Sequence, residues 1–488
     1  MKRTLSLTLI LILLVTSSCG SGSAETEDPS AAPAETEAQT QPAETEVSYG
    51  YDKPAMDGYE FTILNCIDEL WGGSNHVIDY NELIGEPVQD AIYTRARQVE
   101  EEMNLKLNVS KFGIFDLYGE LSKEVLSGGG NYDAAYTPLS HSNTPLAGEY
   151  GYNLYDIDTL HLSENWWNQS FVDTATLFGD QLYASIDYIN MMGYSYGNVM
   201  YFNKDMMIDH SLEIPYDTIR EGKWTYDVMN QQMSAVVNLN GDATFAADNN
   251  GNCVWGYAVQ HAEGTMSLLD GAGEFLVVLD DDNAPVLRSD NVRLLDAYDT
   301  LVNMLSADGY CVMKNTAEVQ GQIFFSNNRA LFYQSSLGLS AANFRELEFE
   351  YGVIPLPKFD ESQSRYYTMV SEYTLTLSVP KSVQNVSDSG AVLDYLAFLG
   401  MKDVIPELQT TLCYKGTRDE DSIEMMELLL DTMTVDIGYV YGWTKSMMTD
   451  LCNKMITGNS TFASSLESKN DSIRKAIDKT MASMTAGN

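Results

Sequence analysis

The sequence predicts an α/β protein folded as two lobes, and three observations carry that reading. Segments with strand-like and helix-like patterns alternate from Tyr59 onward, as they do where helices cover a parallel sheet. The chain has 488 residues, more than one hydrophobic core organises, so length alone suggests two to four domains or lobes. Its composition, 44% hydrophobic and 11% aromatic, can fill a substantial interior.

The elements follow in order. Residues 59–67 alternate and then run apolar, as a first buried strand does. Residues 68–73 read as a loop. The spacing predicts a helix over 88–103, with Pro87 where a first turn tolerates proline. A second strand follows at 105–109, a second helix at 117–126 closed by Gly128-Gly129-Gly130, and a third strand at 132–137. Residues 196–202 form a strand leading into a helix over 204–210, and Trp224-Thr225 opens another helix with Thr225 as its cap. Further strands are expected at 330–334, 350–355 and 374–379, and the last 110 residues are mostly helical. In open parallel sheets ligands sit at the carboxyl ends of strands. Trp71 and the segment 138–141 are therefore early site candidates.

Charge and cysteines narrow the function classes. The formal charge is 28 minus 70, or -42. Such a surface repels phosphate backbones and anionic lipid, which excludes nucleic acid as a partner and membrane binding through a basic patch. A neutral or cationic ligand remains open. Six cysteines stand at 19, 66, 253, 311, 413 and 452, with no C-x-x-C pair. With Cys19 assigned to lipidation the remaining five are odd in number and far apart. They read as buried thiols rather than a disulfide framework or zinc site.

The N-terminus reads as an address and a tether. Met1-Lys2-Arg3 precedes an apolar run over 5–15, about half of the roughly twenty residues a spanning helix needs. Residues 1–18 are therefore a signal peptide. Val15-Thr16-Ser17-Ser18-Cys19 resembles the lipobox of bacterial lipoproteins, with Thr16 where that motif prefers leucine. The resemblance implies a diacylglyceryl group on Cys19, a two-chain membrane anchor. From Gly20 to Ser48 there is no aromatic residue, Lys or Arg, but there are seven acidic residues, three prolines and three copies of Ala-Glu-Thr-Glu. Residues 19–48 are thus expected to be a disordered, self-repelling spacer. A spacer of this length suits a Gram-positive wall, with the folded part outside the cell.

Several motifs bear on chemistry. Gly193-Tyr194-Ser195-Tyr196-Gly197 fits the G-x-S-x-G elbow of α/β-hydrolases, which needs a later histidine base. Only His210 and His261 follow, and the final 227 residues contain none, so a flexible connection between lobes is the preferred reading. Asn238, Asn240 and Asp242 occupy positions 1, 3 and 5 of a calcium-type loop, although Ala243 and Asn249 replace the expected Gly and bidentate Glu. Structural calcium is the one cofactor this allows; such Asp/Asn runs otherwise make turns. With 70 acidic residues some carboxylates always lie close, so no glycosidase pair can be assigned. Thirty tyrosines and six tryptophans supply rings able to cover the C–H face of a sugar. Trp224 and the Trp166-Trp167 pair are read as structural.

Taken together, segments spread over residues 85–441 resemble bacterial extracellular solute-binding proteins of the carbohydrate type, the capture subunits of ABC importers. They are Gly85-Glu86-Pro87 with Ala91 to Arg95 and Val99-Glu100-Glu101; Tyr201-Phe202-Asn203-Lys204-Asp205; and Gly222-Lys223-Trp224-Thr225. The others are Gly352 to Glu361, with its Pro355, Pro357 and Lys358, and Arg418 to Ser422 with Gly438 to Tyr441. The resemblance implies a two-lobed, periplasmic-binding-protein-like (type II) fold with a hinged cleft. Lobe 1 would hold 59–197 and 378–430, and lobe 2 would hold 198–377 and 431–488. It places ligand contacts at Asp68, Glu69, Trp71, Ser140, His141, Asp187, Glu263, Tyr333, Gln334, Glu372, Tyr373, Tyr441 and Trp443. It implies a monomer that catalyses nothing and delivers a sugar or oligosaccharide to ABC permease subunits. A surface glycoside hydrolase or esterase, a binder of peptide or cationic solute, and an interaction lipoprotein without transport are the alternatives.

Overall fold

In the computed structural model the described residues are 48–485 without 71–72, 141–148, 317, 339–343, 345–346 and 413–419. The predicted signal peptide, Cys19 and the tether up to residue 47 lie outside them, as do Trp71, His141 and Cys413. The chain divides into Met1–Ser48 and Tyr49–Asn488, and the fold is that of the second unit.

The strands come in chain order as β1 Tyr59–Cys66, β2 Leu105–Phe112, β3 Ala134–Pro138, β4 Asn198–Asn203, β5 Trp255–Val259, β6 Val277–Leu279 and β7 Pro285–Leu287. Then follow β8 Cys311–Met313, β9 Ala330–Ser336, β10 Tyr351–Ile354, β11 Thr368–Met369, β12 Leu375–Ser378 and β13 Met433–Thr434. Two sheets organise them. The first has the order β12-β3-β1-β2 and the second β10-β4-β9-β5-β8. In the first, β1 runs parallel to β2 and β3, while β12 returns antiparallel. In the second, β5 is parallel to β8 and β9, β4 runs antiparallel to β9, and β10 runs antiparallel to β4. Each sheet is the floor of one lobe.

Local chemistry explains the elements that frame the site. The helix Pro87–Met103 starts on a proline whose missing N–H would be unpaired there anyway, and buries Ile92, Arg95, Ala96, Val99 and Met103 along one stripe. Arg95 is fully buried, yet its guanidinium donates to the carbonyls of Ile78, Tyr188 and Ile189. Gly128 ends the helix Leu117–Ser127 in the left-handed region at φ 64°. At Gly400 a Cβ would lie 1.8 Å from the Tyr188 carbonyl oxygen, so only glycine lets that helical turn pack on the loop. Trp224 is buried, its indole N–H on the Pro355 carbonyl at 2.9 Å.

One buried carboxylate ties the start of the folded unit to the first lobe. Asp394, on the helix Val386–Leu399, accepts from the Trp166 and Trp167 indoles at 3.0 and 2.9 Å and from Tyr49 OH at 3.1 Å. It also accepts from the His161 backbone N–H at 2.9 Å, and the His161 ring Nδ1 sits 2.7 Å from it. Tyr51 stacks on that imidazole with centroids 3.4 Å apart.

The lobes are joined at Gly197–Asn198 and again between Val370 and Leu375, and Gly197 is bridged to Val370. Two boundaries drawn from sequence move. Leu375 already pairs with Pro138 in the first sheet, so that lobe resumes before residue 378. The helix Glu420–Asp431, assigned to lobe 1, instead packs on the second lobe. Ser422 Oγ bonds Tyr216 OH at 2.8 Å, and Glu424 binds Arg220 at 2.6 Å. Helical spacing reveals a buried face on 422, 425, 426 and 429 but not which lobe covers it. No helix among the described residues is long and apolar enough to cross a membrane. Cys66, Cys253, Cys311 and Cys452 are buried free thiols.

Candidate functional site

Strand direction places the site. Because β5, β8 and β9 are parallel, their carboxyl ends share one edge of the second sheet, and antiparallel β4 begins there, with Asn198 opposite Ser336. Gln260 and His261 follow β5, Asn315 follows β8, and Ser335 and Ser336 end β9. These residues form one wall of a cleft of about 520 Å³, inside the range of roughly 300–1,000 Å³ typical of small-molecule sites. Phe115, after β2, and Ser371 and Tyr373, in the second crossing, form the opposite wall. The cleft lies between the lobes.

Its chemistry is that of uncharged hydrogen bonding. Six amide side chains line it, Asn198, Gln260, Asn315, Gln320, Gln322 and Gln334, each with both donors and an acceptor. Gln334 Nε2 donates to Asn198 Oδ1 at 2.7 Å, Asn198 Nδ2 reaches Glu263 Oε1 at 3.4 Å, and Gln260 Nε2 donates to Tyr333 OH at 3.2 Å. The buried Ser336 hydroxyl has no partner among the described residues. Aromatic surface comes from Tyr373, whose ring meets Phe115 and His261 edge-on with centroids 6.3 Å apart in each pair. Glu263, in the first turn of the helix Ala262–Gly271, is the one carboxylate on the cleft wall among the described residues. Burial raises its pKa, opposed by His261 and by a hydrogen bond from Ser371.

The residues expected from sequence divide clearly. Glu263, Tyr333, Gln334 and Tyr373 line the cleft, and Glu372 lines a small chamber beside it. Ser140 is half-buried, its N–H donating to the Glu372 carbonyl at 3.2 Å. Asp68 and Glu69 are exposed outside the cleft lining, and Asp68 pairs with Lys111 at 2.6 Å. Asp187 is core: it accepts from Tyr136 OH at 2.9 Å and from the N–H groups of Ile189 and Asn190. Tyr441 and Trp443 stack on each other in the interior, the tyrosine bonded to the Ala175 carbonyl and the indole to Thr480 Oγ1. Sequence reading overlooked Asn198, Gln260, His261, Asn315 and Ser336. The strand-end rule finds them once β5, β8 and β9 are placed in the second sheet.

The two other motifs have internal partners. Ser195 Oγ is buried, donates to the Met191 carbonyl at 2.9 Å and accepts from Asn75 Nδ2 at 3.0 Å; no histidine is among these partners. In the Asn238–Asp242 loop, Asn238 Oδ1 accepts the Asn240 N–H, and Asp242 accepts from the N–H groups of Asn252 and Cys253 and from the Asn252 amide. These bonds already close the loop, and among the described residues no three His, Cys, Asp or Glu side chains are placed to hold a metal ion. Melting curves with excess calcium and with chelator are therefore expected to superimpose. A calcium-dependent rise of several degrees, lost in Asp242→Asn, would reverse that expectation.

Buried carboxyls give the fold a distinct pH response. Burial raises both Asp187 and Asp436 to about 6. Their folded forms hold protons to higher pH than the unfolded chain, so folding takes up protons between about pH 4 and 6. Stability contributed by these groups therefore falls as the pH rises through that window. The protein is expected to melt higher at pH 5 than at pH 7.5. Asp187→Asn should flatten the difference, provided the variant keeps the Tyr136 bond.

No family model and no curated protein matches the chain. Solved structures do. An ABC substrate-binding protein of Listeria monocytogenes in complex with cycloalternan superposes with a TM-score of 0.56 at 15% identity, covering 86% of this chain and 100% of that one. The galacto-N-biose/lacto-N-biose I-binding protein of a Bifidobacterium longum ABC transporter gives 0.56 at 12% identity, covering 88% and 98%. A solute-binding protein of Thermotoga lettingae bound to α-D-tagatose gives 0.54 at 14% identity, covering 86% and 100%. At such identities the likeness is one of architecture, and the chain has the two-lobed α/β fold of these ABC transporter binding proteins.

Proposed function

We propose that this protein captures a sugar or oligosaccharide in its interlobe cleft and presents it to the permease of an ABC importer, leaving the sugar's covalent bonds intact. The observation that carries the reading is the cleft lining: six amides and several hydroxyls with aromatic surface, shared between two lobes. Hydroxyl-rich molecules need that mixture of donors, acceptors and rings. The solved neighbours described above hold cycloalternan, lacto-N-biose and tagatose. Contacts from both lobes let a ligand favour the closed form, because only differential contact shifts such an equilibrium. The lipobox-like Val15 to Cys19 and the acidic spacer support anchoring at the outer face of a Gram-positive membrane. That anchor would hold the binder beside its permease at high effective concentration. Ser195 lacks a base among its bonded partners, which disfavours the esterase alternative.

A thermal-shift panel of mono- and oligosaccharides, amino acids, peptides and polyamines tests this. Stabilisation by a sugar, with no product in the mixture afterward, is the expected result. A shift caused only by peptides, or accumulation of a cleaved sugar, would replace the reading.

A further inference from the structure

A second chamber of about 20 Å³ adjoins the cleft, room for one water-sized group. Asn198 and Glu263 belong to the walls of both spaces. The other charged groups on the chamber wall are Asp270, Glu372 and Asp436. Three of the four carboxylates have partners. Glu263 is met by Asn198 and Ser371, Glu372 pairs with Lys445 at 2.9 Å, and Asp436 accepts the Gly438 N–H at 2.7 Å.

Asp270 does not. It is only 7% exposed, and among the described residues it has neither a hydrogen-bond donor nor a cation, while Asp436 and Glu263 are the charges nearest in effect. Burial and those two neighbours push its carboxyl well above the usual carboxylate range. A buried carboxyl without a partner is a standing cost, relieved most fully by a group that supplies both N–H donors and positive charge. A neutral hydroxyl would satisfy one oxygen without stabilising the ionised form of Asp270, which burial and its two acidic neighbours disfavour. A metal ion needs ligands converging on a point, and no three acidic side chains here converge so. An ammonium group, with three donors on a short stem, tolerates the wider spacing.

We infer that this chamber receives a primary ammonium group carried by the bound solute, so that the preferred ligand is an amino sugar. The inference rests on the cleft being a sugar site. Calorimetry on the full chain with matched triplets tests it: glucosamine, galactosamine and mannosamine, each beside its parent hexose and its N-acetyl form, with ammonium chloride as the free-ion arm. The expected result is an amino sugar bound at least ~10-fold tighter than its neutral counterparts, the difference one good charge-assisted contact makes. In Asp270→Asn that preference should shrink to within about twofold, with the parent hexose unaffected. Glu372→Gln provides a second variant should Asp270→Asn fail to fold, and it should weaken the preference in the same direction. Equal binding of amine and neutral sugar, an undiminished preference in both variants, or ammonium chloride binding as tightly as the amino sugar would each overturn the inference while leaving sugar capture standing. Failure of every sugar would remove both.

Discussion

Asp394→Ala is expected to destabilise the folded unit by about 3–5 kcal/mol, the cost typical of removing one member of a buried charged network. The carboxylate is fully buried, and two indoles, a tyrosine hydroxyl and a backbone N–H donate to it, with the His161 ring beside it. Alanine leaves these donors facing a void, and each unsatisfied buried donor costs about 1–3 kcal/mol before any relaxation. Asp394→Asn keeps the volume and an acceptor oxygen, so it should lose less. The loss should also be local at first. Tyr49 and Tyr51 dock on this node, so the start of the folded unit should become accessible to protease before the rest. Denaturant melts of both variants, read with limited proteolysis, measure this. A change below about 1 kcal/mol for the alanine variant would show that the network contributes little net stability.

That node also shows where sequence reading stops. Trp166 and Trp167 are read correctly as structural, yet nothing local connects them to an aspartate 228 and 227 positions away. The first sheet is legible because β1 and β2 are eight residues long and amphipathic helices separate β1, β2 and β3. The centre of the second sheet is not. Trp255–Val259 is buried on both faces and so lacks alternation, and Cys311–Met313 is too short to carry a pattern. Missing those strands meant missing their carboxyl ends, where Gln260, His261 and Asn315 stand. Asp187, Tyr441 and Trp443 misled for the opposite reason. A carboxylate beside a crossing and aromatics at a helix start have the right chemistry for a ligand, but only the packed structure shows all three in the interior, with Asp187 Oδ1, Tyr441 OH and the Trp443 indole engaged by Tyr136, Ala175 and Thr480. Residue type identifies what a side chain can bind; tertiary contact decides whether the protein itself has taken that capacity.

Glu263 is a mixed case, a cleft side chain already bonded by Asn198 and Ser371. Glu263→Gln is expected to weaken sugar binding roughly 2- to 10-fold, the loss of about 0.5–1.5 kcal/mol that accompanies one neutral hydrogen bond. The empty protein should stay folded and melt no lower, because burial and Glu372 disfavour the ionised carboxylate that the substitution removes. Glu263 acts at a second point as well. It begins the helix Ala262–Gly271 of the second lobe and accepts a bond from Ser371 in the crossing segment, so it couples the cleft wall to the hinge. Tyr373→Ala separates the two roles. It removes ring surface from the cleft and leaves the Glu263–Ser371 bond, and it should cost only the stacking contribution, about 0.5–1.5 kcal/mol. Small-angle scattering with and without ligand would then read closure directly. The Tyr373→Ala protein should still compact when saturated with sugar, whereas Glu263→Gln should compact less at equal occupancy. Full compaction and unchanged affinity in Glu263→Gln would mean that the amides alone hold the ligand and that this carboxylate serves only the packing between lobes.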